Sequence, residues 1–213
     1  MKSWILAIGT LSFCLVGWAA PDGLDDAYQQ LKDAQTAKDP DAVKKWATET
    51  SKLAKAEAAG PKIEGYTDED WPKRVDFAKQ VGTVSEYALS TTAAQPGLAP
   101  AKVVELVDAL LLMNPKSTYI GAATGPYLAA LGKLGGADKQ IEGATKIVNG
   151  SPNEEDALMA LSEGLMSKNK PDQAYTYATR LVTVMKSKAK PEGSETFVVV
   201  VGGATIESPE TIC

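Results

Sequence analysis

The segment PDQAYTYATRLV at residues 171–182 has two near copies in the chain, ADKQIEGATKIV at residues 137–148 and PDAVKKWATETS at residues 40–51. The copies at residues 137–148 and 171–182 both contain Ala and Thr followed by one basic and two apolar residues, and these positions lie 34 residues apart. A period of this length is typical of stacked pairs of helices. The repetition therefore predicts an array of similar helical units.

Composition supports helices across the same region, because Ala, Leu, Lys, Glu and Gln dominate and the breaks fall at Gly and Pro. We predict eight helices, at residues 23–37, 40–59, 69–95, 98–113, 117–134, 137–149, 153–168 and 171–188. Joined by short turns, they make four antiparallel hairpins. Pro40 and Pro171 each fall in a first turn, where the missing N–H costs nothing.

Glycines are predicted to shape the third hairpin. Gly135-Gly136 and Asn149-Gly150 supply residues that can adopt the left-handed conformation that ends a helix. Gly125-Pro126 falls inside the predicted helix 117–134, where we expect a kink. The stretch from 60 to 70, GPKIEGYTDED, is the longest polar connection.

The last unit carries a recognisable packing pattern. Its residues Leu158, Leu161, Ser162, Leu165 and Ala174 follow the order large, large, small, large and alanine, and Pro152 precedes them. This pattern resembles the tetratricopeptide-repeat (TPR) family, with one good copy and three degenerate ones over roughly residues 23–190. In the unit before, Gln140 stands where that family usually has alanine. An unrelated helical bundle is the alternative.

The resemblance implies an all-α fold over residues 20–190, a right-handed superhelix of antiparallel helix hairpins (a TPR-like α-solenoid). It also implies a concave groove, lined by the first helix of each unit, that holds a peptide or protein partner. In the last unit this register selects Asp156, Met159, Glu163, Met166 and Ser167. In the unit before it selects Ala122, Gly125, Ala129, Gly132 and Lys133.

The candidate partner-binding residues are therefore Asp156, Met159, Glu163, Met166, Ser167 and Lys133. Methionine is flexible and suits an adaptable apolar contact. The alternative interpretation is that the two methionines pack against a neighbouring helix and that Lys133 only compensates a helix C-terminus.

Catalytic chemistry finds little support in the sequence. The chain has no histidine, which removes the commonest general base and metal ligand. The acidic clusters Asp68-Glu69-Asp70 and Glu154-Glu155-Asp156 suit a hard cation in principle, but each lies at a predicted helix start, where acids offset the helix dipole. We predict a non-enzymatic protein without catalytic residues, metal or cofactor.

The N-terminus is typical of export. Lys2 precedes an apolar run from Trp4 to Trp18, and small residues follow before Pro21. This pattern predicts a secretory signal peptide at residues 1–19, and hence a periplasmic or extracellular protein without stable membrane insertion after cleavage. A retained anchor, or a lipid on Cys14 in the Leu11-Ser12-Phe13-Cys14 segment, is the alternative, although Phe13 departs from the small residue expected there.

The C-terminal residues 191–213 do not continue the repeat. Strand-forming residues run from Phe197 to Val201, and we expect that run to have no partner strand in a helical array. We interpret the segment as a non-repeat tail that is disordered, or an artefact of a truncated or frame-shifted reading frame.

Charge narrows the class of partner. The chain has 27 acidic against 22 basic residues and a formal net charge of -5, so there is no basic surplus to neutralise nucleic-acid phosphates. The sequence thus predicts an exported scaffold or adaptor that binds a protein or peptide in its groove. The alternative is a helical accessory domain of a larger envelope enzyme or assembly factor whose C-terminal part is missing.

Overall fold

The structure, a computed structural model, describes residues 23–188, 198–201 and 204–207. The predicted signal peptide at residues 1–19, the alternative of a lipid on Cys14 and most of the predicted tail at residues 191–213 lie outside these ranges. Within residues 23–188 the secondary structure is helical throughout, so the predicted all-α class is confirmed there. The helices are α1 (Leu24–Ala37), α2 (Pro40–Ala59), α3 (Asp70–Ala93), α4 (Pro100–Met113), α5 (Ile120–Gly150), α6 (Glu155–Ser167) and α7 (Pro171–Ser187).

Helix starts follow the local chemistry of the sequence. The side chain of Asp39 caps α2 by accepting hydrogen bonds from the backbone N–H groups of Asp41 and Ala42, at 3.0 and 3.1 Å. Pro40 occupies the first turn of α2, and Pro171 occupies that of α7, as predicted. Two turns use left-handed residues that the sequence did not suggest, Lys38 after α1 and Asn169 between α6 and α7.

Helix α5 contains the predicted break. Inside it only Gly135 and Gly136 depart from helical dihedral angles, and Gly136 has φ 68° and ψ -163°, a conformation open essentially to glycine. Two arms, residues 120–134 and 137–150, therefore fold back on each other. At Gly125-Pro126, where a kink was predicted, the helical dihedral angles continue through both residues.

The prediction of a left-handed residue at Asn149-Gly150 is wrong. Neither residue has a positive φ, and α5 runs on to Gly150. A Cβ built on Gly150 would lie 1.8 Å from the carbonyl oxygen of Pro115. Glycine is needed at this position because another stretch of backbone comes so close.

The hydrophobic core extends along the chain from helix to helix. Substantial contacts among the described helices join only neighbours in sequence, or helices two places apart. The main cluster includes Leu31, Leu89, Leu110, Ile147 and Leu161, all at most 1% exposed. A smaller, separate cluster joins Leu24 of α1, Ala54 of α2 and Ala78 and Val81 of α3.

One ion-pair network ties the first three helices together. The guanidinium of Arg74 in α3 bonds Glu57 in α2 and donates to Asp25 in α1, with Nη1 2.9 Å from Asp25 Oδ1. The side chains of Arg74 and Glu57 are only 14% and 11% exposed. The carboxylates of Asp25 and Glu57 raise the pKa of Arg74 above its ordinary value.

A two-stranded antiparallel hairpin follows the helices. Strand β1 (Val198–Val201) pairs with β2 (Ala204–Glu207), with Val198 opposite Glu207 and Val201 opposite Ala204. The expectation that the Phe197 to Val201 run has no partner strand is therefore wrong, because residues 204–207, which follow after two intervening positions, supply one.

Candidate partner-binding surface

Helix α6 has two opposite faces. At 100° per residue, its buried residues share one side of the helix: Ala157, Leu158, Leu161, Ser162 and Leu165. The five residues predicted to bind a partner share the other: Asp156, Met159, Glu163, Met166 and Ser167, all exposed. The face predicted from the repeat register is thus free of the core.

The two methionines are accessible. The side chains of Met159 and Met166 are 47% and 38% exposed, and neither belongs to the core clusters. The alternative interpretation, in which they also pack against a neighbouring helix, applies only to the covered part of each residue. They form an apolar strip one side chain wide along α6.

The first arm of α5 offers a much flatter surface. The residues 34 positions earlier are Ala122, Gly125, Ala129, Gly132 and Lys133. Of these, only Lys133 has a side chain larger than a methyl group. The two helices meet at Gly125, where an added Cβ would lie 3.1 Å from Oδ2 of Asp156. We call the five residues of α6 and these five of α5 the α5–α6 surface.

Lys133 stands apart from the other five candidates. It is exposed near the end of the first arm of α5, with one residue between it and the break at Gly135-Gly136. Within the described residues no hydrogen bond or ion pair joins it to Asp156 or Glu163. The structure therefore brings Asp156 against α5 but leaves Lys133 as a separate charge at one end.

The surface carries unpaired negative charge. Asp156 and Glu163 form no ion pair with any described lysine or arginine, and two lysines close by in the sequence or structure pair with other acids: Lys168 with Asp138 at 2.7 Å and Lys188 with Glu155 at 2.5 Å. Both carboxylates thus remain available to a cation on a partner.

The start of α6 explains the acidic cluster Glu154-Glu155-Asp156. The carboxylate of Glu154 caps the helix by accepting from the backbone N–H of Ala157 at 2.8 Å. Burial raises the pKa of Glu154, against the opposing effect of that hydrogen bond, and the neighbouring Asp156 and Glu155 raise it further. A cleft of about 530 Å³ opens here, but no described group of His, Cys, Asp and Glu residues is placed to hold a metal ion.

A second cleft, of about 660 Å³, lies between α2 and α4 and was not predicted from the sequence. Its lining residues come from both helices: Lys44, Thr48, Ser51, Lys52 and Lys55 from α2, and Glu105, Asp108, Ala109, Leu112 and Met113 from α4. One signal was present in the sequence. The run Leu110 to Met113 puts four apolar residues in one turn, so at least one must face away from the core. That residue is Leu112, which is 88% exposed.

Comparisons with protein-family models, with curated proteins and with solved structures found no match. Over residues 23–188 the structure defines an all-α fold, with exposed methionines and acidic residues on α6. No helix in the described part of the chain combines the length and the apolar character needed to cross a membrane. The resemblance to the TPR family stays a prediction, as do export and the absence of an enzymatic role.

Proposed function

We propose that this chain is an exported scaffold or adaptor with a TPR-like α-solenoid fold, and that the α5–α6 surface is the groove in which it binds a protein or peptide. One observation carries the proposal. The exposed residues of α6 correspond at an offset of 34 to the small residues of α5, and the two sets adjoin at Asp156 and Gly125.

Packing along the chain supports the solenoid part of the proposal. In a repeat array each unit contacts only its neighbours, and the described helices make their substantial contacts only with helices one or two places away. The break at Gly135-Gly136 gives α5 the form of a hairpin, as a unit of such an array requires. A right-handed superhelix of these hairpins has a concave face lined by the first arm of α5 and by α6.

The chemistry of the surface specifies the kind of partner. The methionines offer an adaptable apolar contact, the exposed Ala122 and Ala129 of α5 let a main chain approach closely, and Asp156 and Glu163 attract positive charge. We therefore propose a partner segment that combines apolar side chains with at least one lysine or arginine. The periplasm or the extracellular space is the compartment in which we place this binding.

Selection from a displayed library of random peptides tests the proposal. We expect the selected peptides to be enriched in apolar residues next to lysine or arginine. Glu163→Lys reverses a charge and Met159→Asp puts a charge on the apolar strip, so each variant should weaken a selected peptide by about tenfold or more in calorimetry.

The matched control is Tyr175→Asp, which places the same new charge on an exposed side chain of α7, outside the surface. It should leave the affinity unchanged. Unchanged binding by both surface variants, each with a native circular dichroism spectrum, would reject the α5–α6 surface as the site.

The alternative hypothesis, an accessory domain of a larger envelope enzyme or assembly factor, makes a different prediction. The reading frame in the native host should then continue into a region with catalytic motifs. Sequencing that frame, together with the intact mass of the exported protein, separates the two hypotheses. A mass equal to that of a chain that begins at Ala20 would support cleavage of the proposed signal peptide.

A further inference from the structure

The cleft between α2 and α4 is bounded by a lysine contact at each end. Near its start, Lys44 Nζ lies 3.0 Å from Oε2 of Glu105. Near its other end, Lys55 Nζ donates to the carbonyl oxygen of Met113 at 2.6 Å. Residue numbers rise in the same direction on both helices, so α2 and α4 run parallel. The two lysines are about 16 Å apart along α2 at 1.5 Å per residue.

Between these contacts the walls are mainly apolar. Ala109, Leu112 and Met113 of α4 contribute apolar side chains, and the lysines of α2 contribute the methylene stems that such residues lay along apolar surfaces. Leu112 reaches solvent at the mouth of the cleft. The cleft is thus elongated, mainly apolar along its length and open to solvent on one side.

The charges along the cleft are unequally compensated. Glu105 is paired with both Lys44 and Lys102, each at 3.0 Å. The carboxylate of Asp108 accepts a hydrogen bond from the hydroxyl of the buried Tyr127 at 2.8 Å. The charge of Glu105 is therefore compensated by lysines of the protein, whereas Asp108 has one hydrogen bond from a neutral hydroxyl and no ion pair with a described cation.

The opposite end holds positive charge that is not matched in this way. Lys55 contacts a carbonyl oxygen and forms no ion pair with a described carboxylate. Lys52, one turn earlier, is 74% exposed and has its nearest described carboxylate, that of Glu49, at 3.7 Å. The two ammonium groups lie on the same side of α2 and line the same end of the cleft.

We propose that this cleft binds a small anionic amphiphile, an aliphatic carboxylate, with its head group between Lys52 and Lys55 and its chain along Ala109, Leu112 and Met113. The inference is independent of the α5–α6 surface, which lies on other helices. It follows from three features together: the elongated cavity, its apolar walls and a cationic end at which Lys52 has only the exposed Glu49 at 3.7 Å and Lys55 has no ion pair with a described carboxylate.

Calorimetric titration with decanoate and with decan-1-ol tests the proposal, because the two probes share one chain and differ in head-group charge. We expect saturable binding of decanoate and about tenfold weaker binding of decan-1-ol, since a charge-assisted hydrogen bond is lost. Absence of saturable decanoate binding would overturn the proposal. Equal binding of both probes would overturn the assignment of an anionic ligand.

Variants locate the site. Lys55→Met keeps the apolar stem and removes the charge, so it should abolish the preference for decanoate. Lys52→Met should have the same effect in a protein that retains the Lys55 contact to Met113. Ala109→Phe fills the cleft and should weaken both probes, whereas Lys116→Met, outside the lining, should change neither. If a folded Ala109→Phe protein bound decanoate with the affinity of the wild type, the ligand would bind elsewhere and the site would be refuted.

Discussion

The side chain of Gln140 occupies the space that a side chain at Gly132 would need. A Cβ built on Gly132 would lie 2.7 Å from Gln140 Nε2, the same nitrogen that donates to the carbonyl oxygen of Leu128 at 3.2 Å. The corresponding residues 34 positions later are Met166 and Ala174. The unit formed by α5 thus has a small residue where the last unit has a large one, and a large residue where the last unit has a small one. Glycine in the first arm of α5 accommodates glutamine in the second arm.

This relationship predicts that the effect of Gly132→Ala depends on residue 140. In the wild type, the gain from replacing a helical glycine, about 1 kcal/mol, is offset by displacement of Gln140 from Leu128. In a Gln140→Ala background nothing opposes the gain. Urea unfolding of the four proteins should therefore give a coupling of about 1 kcal/mol. Strict additivity would show that the two side chains do not compete for space.

Sequence alone was sufficient for those parts of the fold that depend on local chemistry. The first-turn prolines and the break at Gly135-Gly136 each depend on residues close together in the chain. Gly150 failed as a turn because its role depends on the backbone of Pro115, 35 residues earlier. A glycine retained for close approach looks the same in sequence as one retained for its dihedral angles.

The same distinction between local and long-range causes applies to the α5–α6 surface and to the cleft between α2 and α4. The residues of the α6 strip were selected by the repeat register that the family resemblance implies, and their exposure agrees with the position of the buried face on that helix. The cleft between α2 and α4 depends on pairs such as Lys44 with Glu105, which are 61 residues apart in the chain. No local pattern relates those positions, because the packing of intervening helices brings them together.

Two helical glycines should respond to alanine with opposite signs. At Gly82 in α3 an added Cβ would meet only the Cβ of Ala54, at 3.8 Å, so Gly82→Ala should stabilise the fold by about 1 kcal/mol. At Gly143 in α5 it would lie 2.2 Å from Leu131 Cδ1 and 3.0 Å from Tyr127 Cε1. Overpacking there costs about 2 kcal/mol, which exceeds the gain. Thermal melts that rank Gly143→Ala above Gly82→Ala would contradict this packing.

The buried hydroxyl of Thr50 should be a source of instability. Thr50 is 0% exposed in α2, and its Oγ1 has no hydrogen-bond partner in the described part of the chain. Thr50→Val removes the unsatisfied group while keeping the shape, and should raise the free energy of unfolding by about 1 kcal/mol.

Thr124 provides the matched control for that substitution. It is equally buried in a helix, but its hydroxyl donates to the carbonyl oxygen of Ile120 at 3.0 Å. Thr124→Val should therefore give no gain in denaturant unfolding. An equal response of both variants would mean that the hydroxyl of Thr50 is satisfied.

The cap of α6 should make stability depend on pH. The pKa of Glu154 is raised in the folded protein, mainly by burial, from an ordinary value of 4.5. The folded state therefore holds this proton more tightly than the unfolded state. The stabilisation is complete below pH 4.5 and is lost as pH rises through the folded-state pKa. Glu154→Gln keeps an oxygen for the N–H of Ala157 and removes the titration, so it should gain on the wild type as pH rises.

The measurement is the difference in unfolding free energy between wild type and Glu154→Gln, followed from below pH 4.5 to neutrality. Groups that titrate alike in both proteins cancel in this difference. Glu155, Asp156 and Lys188, which act on Glu154, are present in both. The difference should increasingly favour Glu154→Gln above pH 4.5 and be flat below it. A difference that moves the other way would mean that the capping bond to Ala157 outweighs burial, since a carboxylate held by that bond is stabilised in its charged form.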